Sequence, residues 1–137
     1  MPAAVLDPGV LVAALISPRG APAALLLASF EGYFELVVSP WLLGELDRVL
    51  RRPKFRRHVT GAEVAGYLEL LAERAVVVLD PPAPPVTPDP GDDYLVALAR
   101  AARTDVLVSG DAHLTGLPDP DPPVLTSRGF LDRLQLR

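Results

Sequence analysis

Residues 3–16 read AAVLDPGVLVAALI, and the order of these residues decides the fold. A short apolar run, residues 3–6, ends in Asp7; Pro8 and Gly9 then break the extended pattern ahead of a second apolar stretch over residues 10–16. That order predicts strand, turn and helix, with an acid at the joint. The same unit returns downstream. Residues 35–38 form another short apolar run, and Ser39 and Pro40 take the N-cap and first-turn positions of a helix over about residues 41–51, ended by Pro53. Residues 106–109 form a third run, VLVS, followed by GDAHL.

Between these units the punctuation is equally legible. Residues 21–30 predict a second helix, stopped by Gly32. Thr60 and Glu63 have capping-box spacing ahead of an amphipathic run over residues 64–74, in which Leu68, Leu71 and Ala75 share a face. Residues 75–79 are strongly β-prone and predict a strand. Six prolines between residues 80 and 91 exclude regular structure there and predict an extended surface connection. Asp92 and Asp93 open an alanine- and leucine-rich helix to about residue 103, with acids in the first turn where the helix dipole favours them. A second proline-rich loop over residues 117–123, a short strand at residues 124–125 and a helix from about Ser127 close the chain. Short apolar strands alternating with helices predict one three-layer α/β/α domain, residues 1–137, with a mainly parallel central sheet.

Composition narrows the chemistry. Half of the 137 residues are hydrophobic, yet no apolar run approaches the roughly 20 residues of a membrane-spanning helix. No basic segment precedes the first apolar run, so a strand rather than a signal peptide is expected there, and with it a soluble, cytoplasmic protein. The absence of cysteine excludes disulfides, thiolate metal sites and cysteine nucleophiles. The two histidines, His58 and His113, do not make a zinc helix. Acids outnumber bases by 17 to 13, so the whole-protein field does not attract a polyanion. A local patch does exist: Arg48, Arg51, Arg52, Lys54, Arg56 and Arg57 place six of the 13 basic residues in one ten-residue window. It is read equally well as a solvated helix end or as a phosphate-contacting surface.

In open parallel sheets the working groups gather beyond the C-terminal ends of the strands. Asp7 and Asp111 are both placed there, Asp93 lies in a first helical turn, and Glu45 is in mid-helix. Four carboxylates brought together repel one another unless a cation intervenes. Mg²⁺ or Mn²⁺ takes oxygen ligands, keeps several waters and supports hydrolysis of a phosphodiester. No Walker loop, G-x-S-x-G or G-x-G-x-x-G competes with this arrangement. Taken singly, each acid has a plainer explanation: Asp92 and Asp93 as a helix start, Asp111 as a turn residue, Asp7 as a cap.

The blocks VLDPGVLVAALISPRGAP, LVVSPWLLGELDRVLRRPKF, DPGDDYLVALARAARTDVLVSGDAHL and VLTSRGFL, in that order and spacing, resemble the PIN-domain ribonucleases, which include VapC-like toxins of type II toxin-antitoxin pairs. The resemblance covers nearly the whole chain. It implies a metal-dependent endoribonuclease acting on single-stranded RNA, with Asp7, Glu45 and Asp93 as the core Mg²⁺ or Mn²⁺ ligands and Asp111 as the fourth acid. Asp93 is preferred to Asp92 because its interval to Asp111 fits the family pattern, and Asp92 is held in reserve. Ser109 stands where the family has a small hydroxyl residue that orients a carboxylate or a metal-bound water. The basic run from Arg48 to Arg57 would face the RNA backbone. The resemblance further implies a small antitoxin partner and a homodimer, for which Leu42, Leu46, Tyr67 and Leu71 offer either an interface or ordinary core. One departure stands out: the Thr and Asn that usually follow the opening Asp are replaced by Pro8 and Gly9, which removes a hydrogen-bonding side chain from the acidic cluster. This opens the alternative of a catalytically weakened domain that binds protein or RNA. A phosphoryl-accepting receiver domain also gathers aspartates at strand ends, but here the only lysine, Lys54, sits in the basic run.

Overall fold

The computed structural model describes residues 1–135. Five parallel strands form the centre: β1 (Ala3–Leu6), β2 (Glu35–Val38), β3 (Val76–Val77), β4 (Val106–Val108) and β5 (Val124–Leu125), in the order β3-β2-β1-β4-β5. Seven helices surround the sheet: α1 (Pro8–Ile16), α2 (Ala21–Phe30), α3 (Pro40–Leu50), α4 (Gly61–Arg74), α5 (Asp93–Ala101), α6 (Ala112–Thr115) and α7 (Ser127–Arg133). The sheet is parallel at every pairing, Val5 standing opposite both Val37 of β2 and Leu107 of β4. The α/β/α expectation therefore holds, with no antiparallel strand among the described residues.

Chain order explains where a site can form. The path runs outward from β1 through β2 to β3, then returns past β1 to β4 and on to β5. Right-handed crossovers put helices that lead in opposite directions on opposite faces. Accordingly α1 packs on α2 and α3, α3 on α4, and α2 on α7, while α5 packs on β1 and β4. The strand order reverses between β1 and β4, and the crevice at their C-terminal ends is the switch point where such sheets bind ligands. Asp7 leaves β1 at this point, its N–H donating to the Val108 carbonyl of β4 at 3.0 Å.

Local chemistry sets the element ends. Pro8, Pro22 and Pro40 all occupy first-turn positions, where the missing N–H costs nothing. Ser39 Oγ accepts from Leu42 N–H, and Thr60 and Glu63 close the expected capping box. Tyr67 reaches from α4 to donate its hydroxyl to the Leu11 carbonyl at 2.7 Å, tying α4 to α1. Burial pushes that hydroxyl's pKa up. One expectation changes here. The strand expected over residues 75–79 shrinks to Val76–Val77 with one further bond from Val78 N–H to the Val38 carbonyl, because the prolines after Asp80 donate nothing to a ladder. The GDAHL segment forms α6, capped by Asp111.

Of the two readings open for the leucine-rich faces of α3 and α4, the fold gives ordinary core. Leu42, Leu46 and Leu71 are fully buried and Tyr67 nearly so, all within the monomer's own core. Their apolar stripe is spent on packing α3 and α4 against the rest of the domain. Among the described residues no single helix is long and apolar enough to cross a membrane.

Candidate active site

A cleft of about 590 Å³ opens at the β1/β4 switch point, with Asp7, Glu45, Asp92 and Asp111 in its wall. Each acid arrives on a different element. Asp7 is the N-cap of α1: its Oδ1 accepts from Val10 N–H at 2.9 Å. Asp111 caps α6 by accepting from His113 N–H at 2.8 Å. Glu45 projects from the middle of α3. Asp92 ends the short 3-10 turn Pro90–Asp92 and takes the N-cap position of α5 without capping it.

Ser109 joins two of these acids. It is fully buried, its Oγ accepts from Asp111 N–H at 3.0 Å, and its hydroxyl helps hold the Asp7 pKa down. Burial raises the pKa of Asp7; the bonds from Ser109, Val10 and Gly9 hold it down, and the charge of Asp111 pushes it up again. Gly9 stands close by, since a Cβ there would lie 3.1 Å from Asp7 Oδ1. The Pro8-Gly9 pair thus leaves the cap intact.

Asp92 carries the strongest sign of strain. Its pKa is pushed up to about 6, by burial first and then by the charges of Asp89, Asp111 and Asp7. Its Oδ2 is buried with no hydrogen-bond partner among the described residues. Native proteins rarely leave a buried carboxylate oxygen unsatisfied, and the exceptions call for an explanation such as a bound ion.

Asp93, the preferred third ligand at sequence level, is elsewhere. Its Oδ1 accepts from the N–H groups of Val86 and Thr87 at 3.0 and 2.9 Å. These bonds, the Val86 one foremost, lower its pKa despite burial. The side chain thus pins the proline-rich connection to the start of α5, and the place in the cleft falls to its neighbour Asp92. Adjacent residues on a helix point about 100° apart, so only one of a consecutive pair faces the crevice.

The basic window divides in the same way. Arg48 and Arg52 line the cleft, and Arg48 grips Glu45 through Nη2–Oε2 at 2.7 Å and Nε–Oε1 at 3.4 Å. Arg51 pairs with Asp47 at 2.6 Å. Lys54 lies over the Phe55 ring, 5.0 Å from its centre. Arg56 and Arg57 are exposed in the turn that follows. Tyr94, which drew no attention in the sequence, also lines the cleft, with its hydroxyl buried and unpartnered among the described residues. Burial and the charges of Glu45, Asp7, Asp92 and Asp80 raise its pKa.

Among the described residues no three acids or histidines stand close enough together to form a finished metal cage. The donor set nevertheless suits a hard cation. Mg²⁺ is held through one or two carboxylates plus waters and substrate phosphate rather than by an all-protein cage. Asp7, Asp92 and Asp111 offer oxygen ligands whose mutual repulsion a cation relieves, and the orphaned Oδ2 of Asp92 supplies a free lone pair.

Residues 3–113 match the family model of the PIN domain. The chain belongs to the PIN-domain family, whose members are nucleases. No curated protein matches it closely enough to report. Solved structures share the fold, three of them as follows. PAE2754 from Pyrobaculum aerophilum superposes with a TM-score of 0.66 at 18% identity, over 98% of this chain and 90% of that one. VapBC2 from Rickettsia felis, bound to a DNA fragment from its promoter, gives 0.60 at 13% identity over 90% and 96%. The PIN domain of human SMG5 gives 0.51 at 12% identity over 96% and 98%.

Proposed function

We propose that the chain is a Mg²⁺- or Mn²⁺-dependent endoribonuclease that hydrolyses single-stranded RNA at the switch-point cleft. The observation that carries this reading is Asp92: a buried carboxylate oxygen with no partner, crowded by Asp111 and Asp7. Asp7, Asp92 and Asp111 would hold the ion, with Glu45 at the edge of the site. The cation supplies Lewis-acid stabilisation of the phosphate and a water of lowered pKa. Ser109 keeps Asp7 and Asp111 in register. Arg48 and Arg52 lie where the phosphates of a bound strand would pass. In the hydrolysis a water oxygen bonds to phosphorus, one ribose–phosphate bond breaks, and the departing ribose oxygen takes up a proton.

The test is cleavage of a single-stranded RNA library in Mn²⁺ with chelator as control. Cleavage that disappears with chelator and returns with metal is expected. Products that persist in chelator, or an intact library in metal, would contradict the proposal.

Metal and pH are coupled through Asp92. Its folded pKa lies above the ordinary carboxylate value, so between about pH 4 and 6 the folded state holds more protons than the unfolded one. Metal-free protein should therefore lose stability as pH rises through that window. A cation that binds only the folded, deprotonated site adds stability in proportion to RT ln(1 + [L]/Kd). Thermal melts with and without millimolar Mn²⁺ should show a gain of several degrees at neutral pH that fades below about pH 6. A metal-independent melting temperature at neutral pH would favour the binding-module alternative.

Arg48 neutralises Glu45 at the edge of the site, so its loss would leave one more uncompensated negative charge beside the ion. Arg48→Ala is expected to tighten Mn²⁺ binding a few-fold in calorimetry. RNA binding should weaken at the same time, and the salt slope should fall by about 0.7, as for one lost phosphate contact on a single strand.

In the toxin form of this proposal a small antitoxin covers the cleft, presenting a basic side chain to the acids. Family membership and the acidic lining support that pairing. A homodimer would use a surface other than Leu42, Leu46, Tyr67 and Leu71, which are buried in the monomer.

A further inference from the structure

Trp41 is the only tryptophan in the chain and is 59% exposed. Exposure of that extent is unusual for the largest hydrophobic side chain. The residue is held firmly nonetheless. Its backbone N–H donates to Asp80 Oδ2 at 2.9 Å, and its indole meets Tyr94 edge to face, 6.3 Å between centres and 66° between planes. Beside it lies a second hollow, of about 360 Å³, lined by Pro40, Trp41, Gly44, Glu45 and Asp80. Gly44 keeps one wall open, since a Cβ there would meet nothing within 4 Å.

Two links connect this hollow to the acidic cleft. Glu45 borders both, and Tyr94 packs against Trp41 while lining the cleft. The hollow has one aromatic plane and carboxylate acceptors at its rim, with no other large apolar side chain in its lining. A continuous apolar patch would suit a protein partner; a single fixed ring with polar edges suits one stacked base. Its volume lies at the low end of small-molecule sites.

We propose that Trp41 is the stacking platform for one base of single-stranded RNA adjacent to the bond that is cut. The inference rests on the nuclease reading above and adds a substrate subsite to it. The base lies over the indole beside Gly44. The following phosphate turns past Glu45 into the cleft, toward Arg48 and Arg52. Stacking requires an unpaired base, so the platform selects single strands over duplexes.

The sole tryptophan makes the test direct. In chelator, where the RNA stays intact, a single-stranded oligonucleotide should quench the intrinsic emission saturably and the duplex of the same sequence should not. In cleavage assays with Mn²⁺, Trp41→Ala should raise KM about ten-fold with kcat nearly unchanged, and Trp41→Phe should restore most of the loss. Circular dichroism checks that both variants fold. Unchanged emission while anisotropy reports binding, or an unaltered KM in Trp41→Ala, would overturn the platform and leave the nuclease reading standing. A parent protein that cleaves no RNA removes the nuclease reading and the subsite with it. If Trp41→Ala instead dissociates an oligomer or a protein complex at constant KM, the residue belongs to a protein interface and the inference is wrong.

Discussion

Asp92→Asn is expected to lower metal-dependent cleavage by on the order of 10²- to 10³-fold while raising the melting temperature of the metal-free protein at neutral pH. The two effects share one cause. Asp92 is kept in the cleft against burial and against the charges of Asp89, Asp111 and Asp7, which push its pKa to about 6. Removing its charge relieves that repulsion, and the amide of Asn brings a donor to carboxylates that have few. The same change deletes an anionic ligand. Loss of an outer-shell partner alone typically costs 10- to 100-fold in metal affinity or activity, and loss of a direct ligand should exceed it. Stabilisation with inactivation separates a functional acid from a structural one, since the latter would lower both quantities together. Cleavage rates at saturating Mn²⁺ and melts in chelator measure the pair.

Asp93→Ala is expected to do the reverse. Its carboxylate satisfies the Val86 and Thr87 N–H groups at 3.0 and 2.9 Å. Truncation leaves two part-buried donors without an acceptor, for a loss of about 1–3 kcal/mol. A melting temperature several degrees lower should result. Activity per folded molecule should fall far less than in Asp92→Asn. Asp93→Asn, which keeps one acceptor oxygen, should recover part of the stability. The sign of the pH dependence follows from the lowered pKa: the Asp93 contribution is present above the ordinary carboxylate range and is lost as pH falls through its folded value. Acid melts of parent and Asp93→Asn should therefore converge at low pH.

The exchange of Asp93 for Asp92 marks the limit of what the chain order reveals. Strand-turn-helix units, the Ser39 and Thr60 caps and the parallel sheet all follow from local chemistry, in which hydrophobic period and N-cap oxygens act within a few residues. That Asp7 and Asp111 share a crevice follows from β1 and β4 being neighbours, which the switch-point rule anticipates. Which of two adjacent acids faces that crevice depends instead on Val86 and Thr87, seven and six residues before Asp93 in a proline-rich connection with no periodicity to read. Tyr94 was hidden for a similar reason. Its place in an α5 rich in alanine and leucine reads as core, and its relation to Trp41 and the cleft exists only after β1 and β4 pair.

The basic window shows another such limit. Six cations in ten residues form one patch on paper, yet α3 and the turn after it send them in different directions: Arg48 and Arg52 into the cleft, Arg51 to Asp47, Lys54 over Phe55. Leu42, Leu46, Tyr67 and Leu71 likewise satisfied a helical stripe that the monomer itself consumes. An apolar stripe identifies a buried face, and only packing says what buries it.

The most direct measurement is the anomalous scattering of Mn²⁺ in crystals of the protein. A peak at the β1/β4 crevice, at oxygen-ligand distance from Asp92 and from Asp7 or Asp111 with Asp93 still bound to Val86 and Thr87, is the predicted result. Mn²⁺ ligated by Asp93, or a crevice in which saturating Mn²⁺ leaves no peak, would contradict the account.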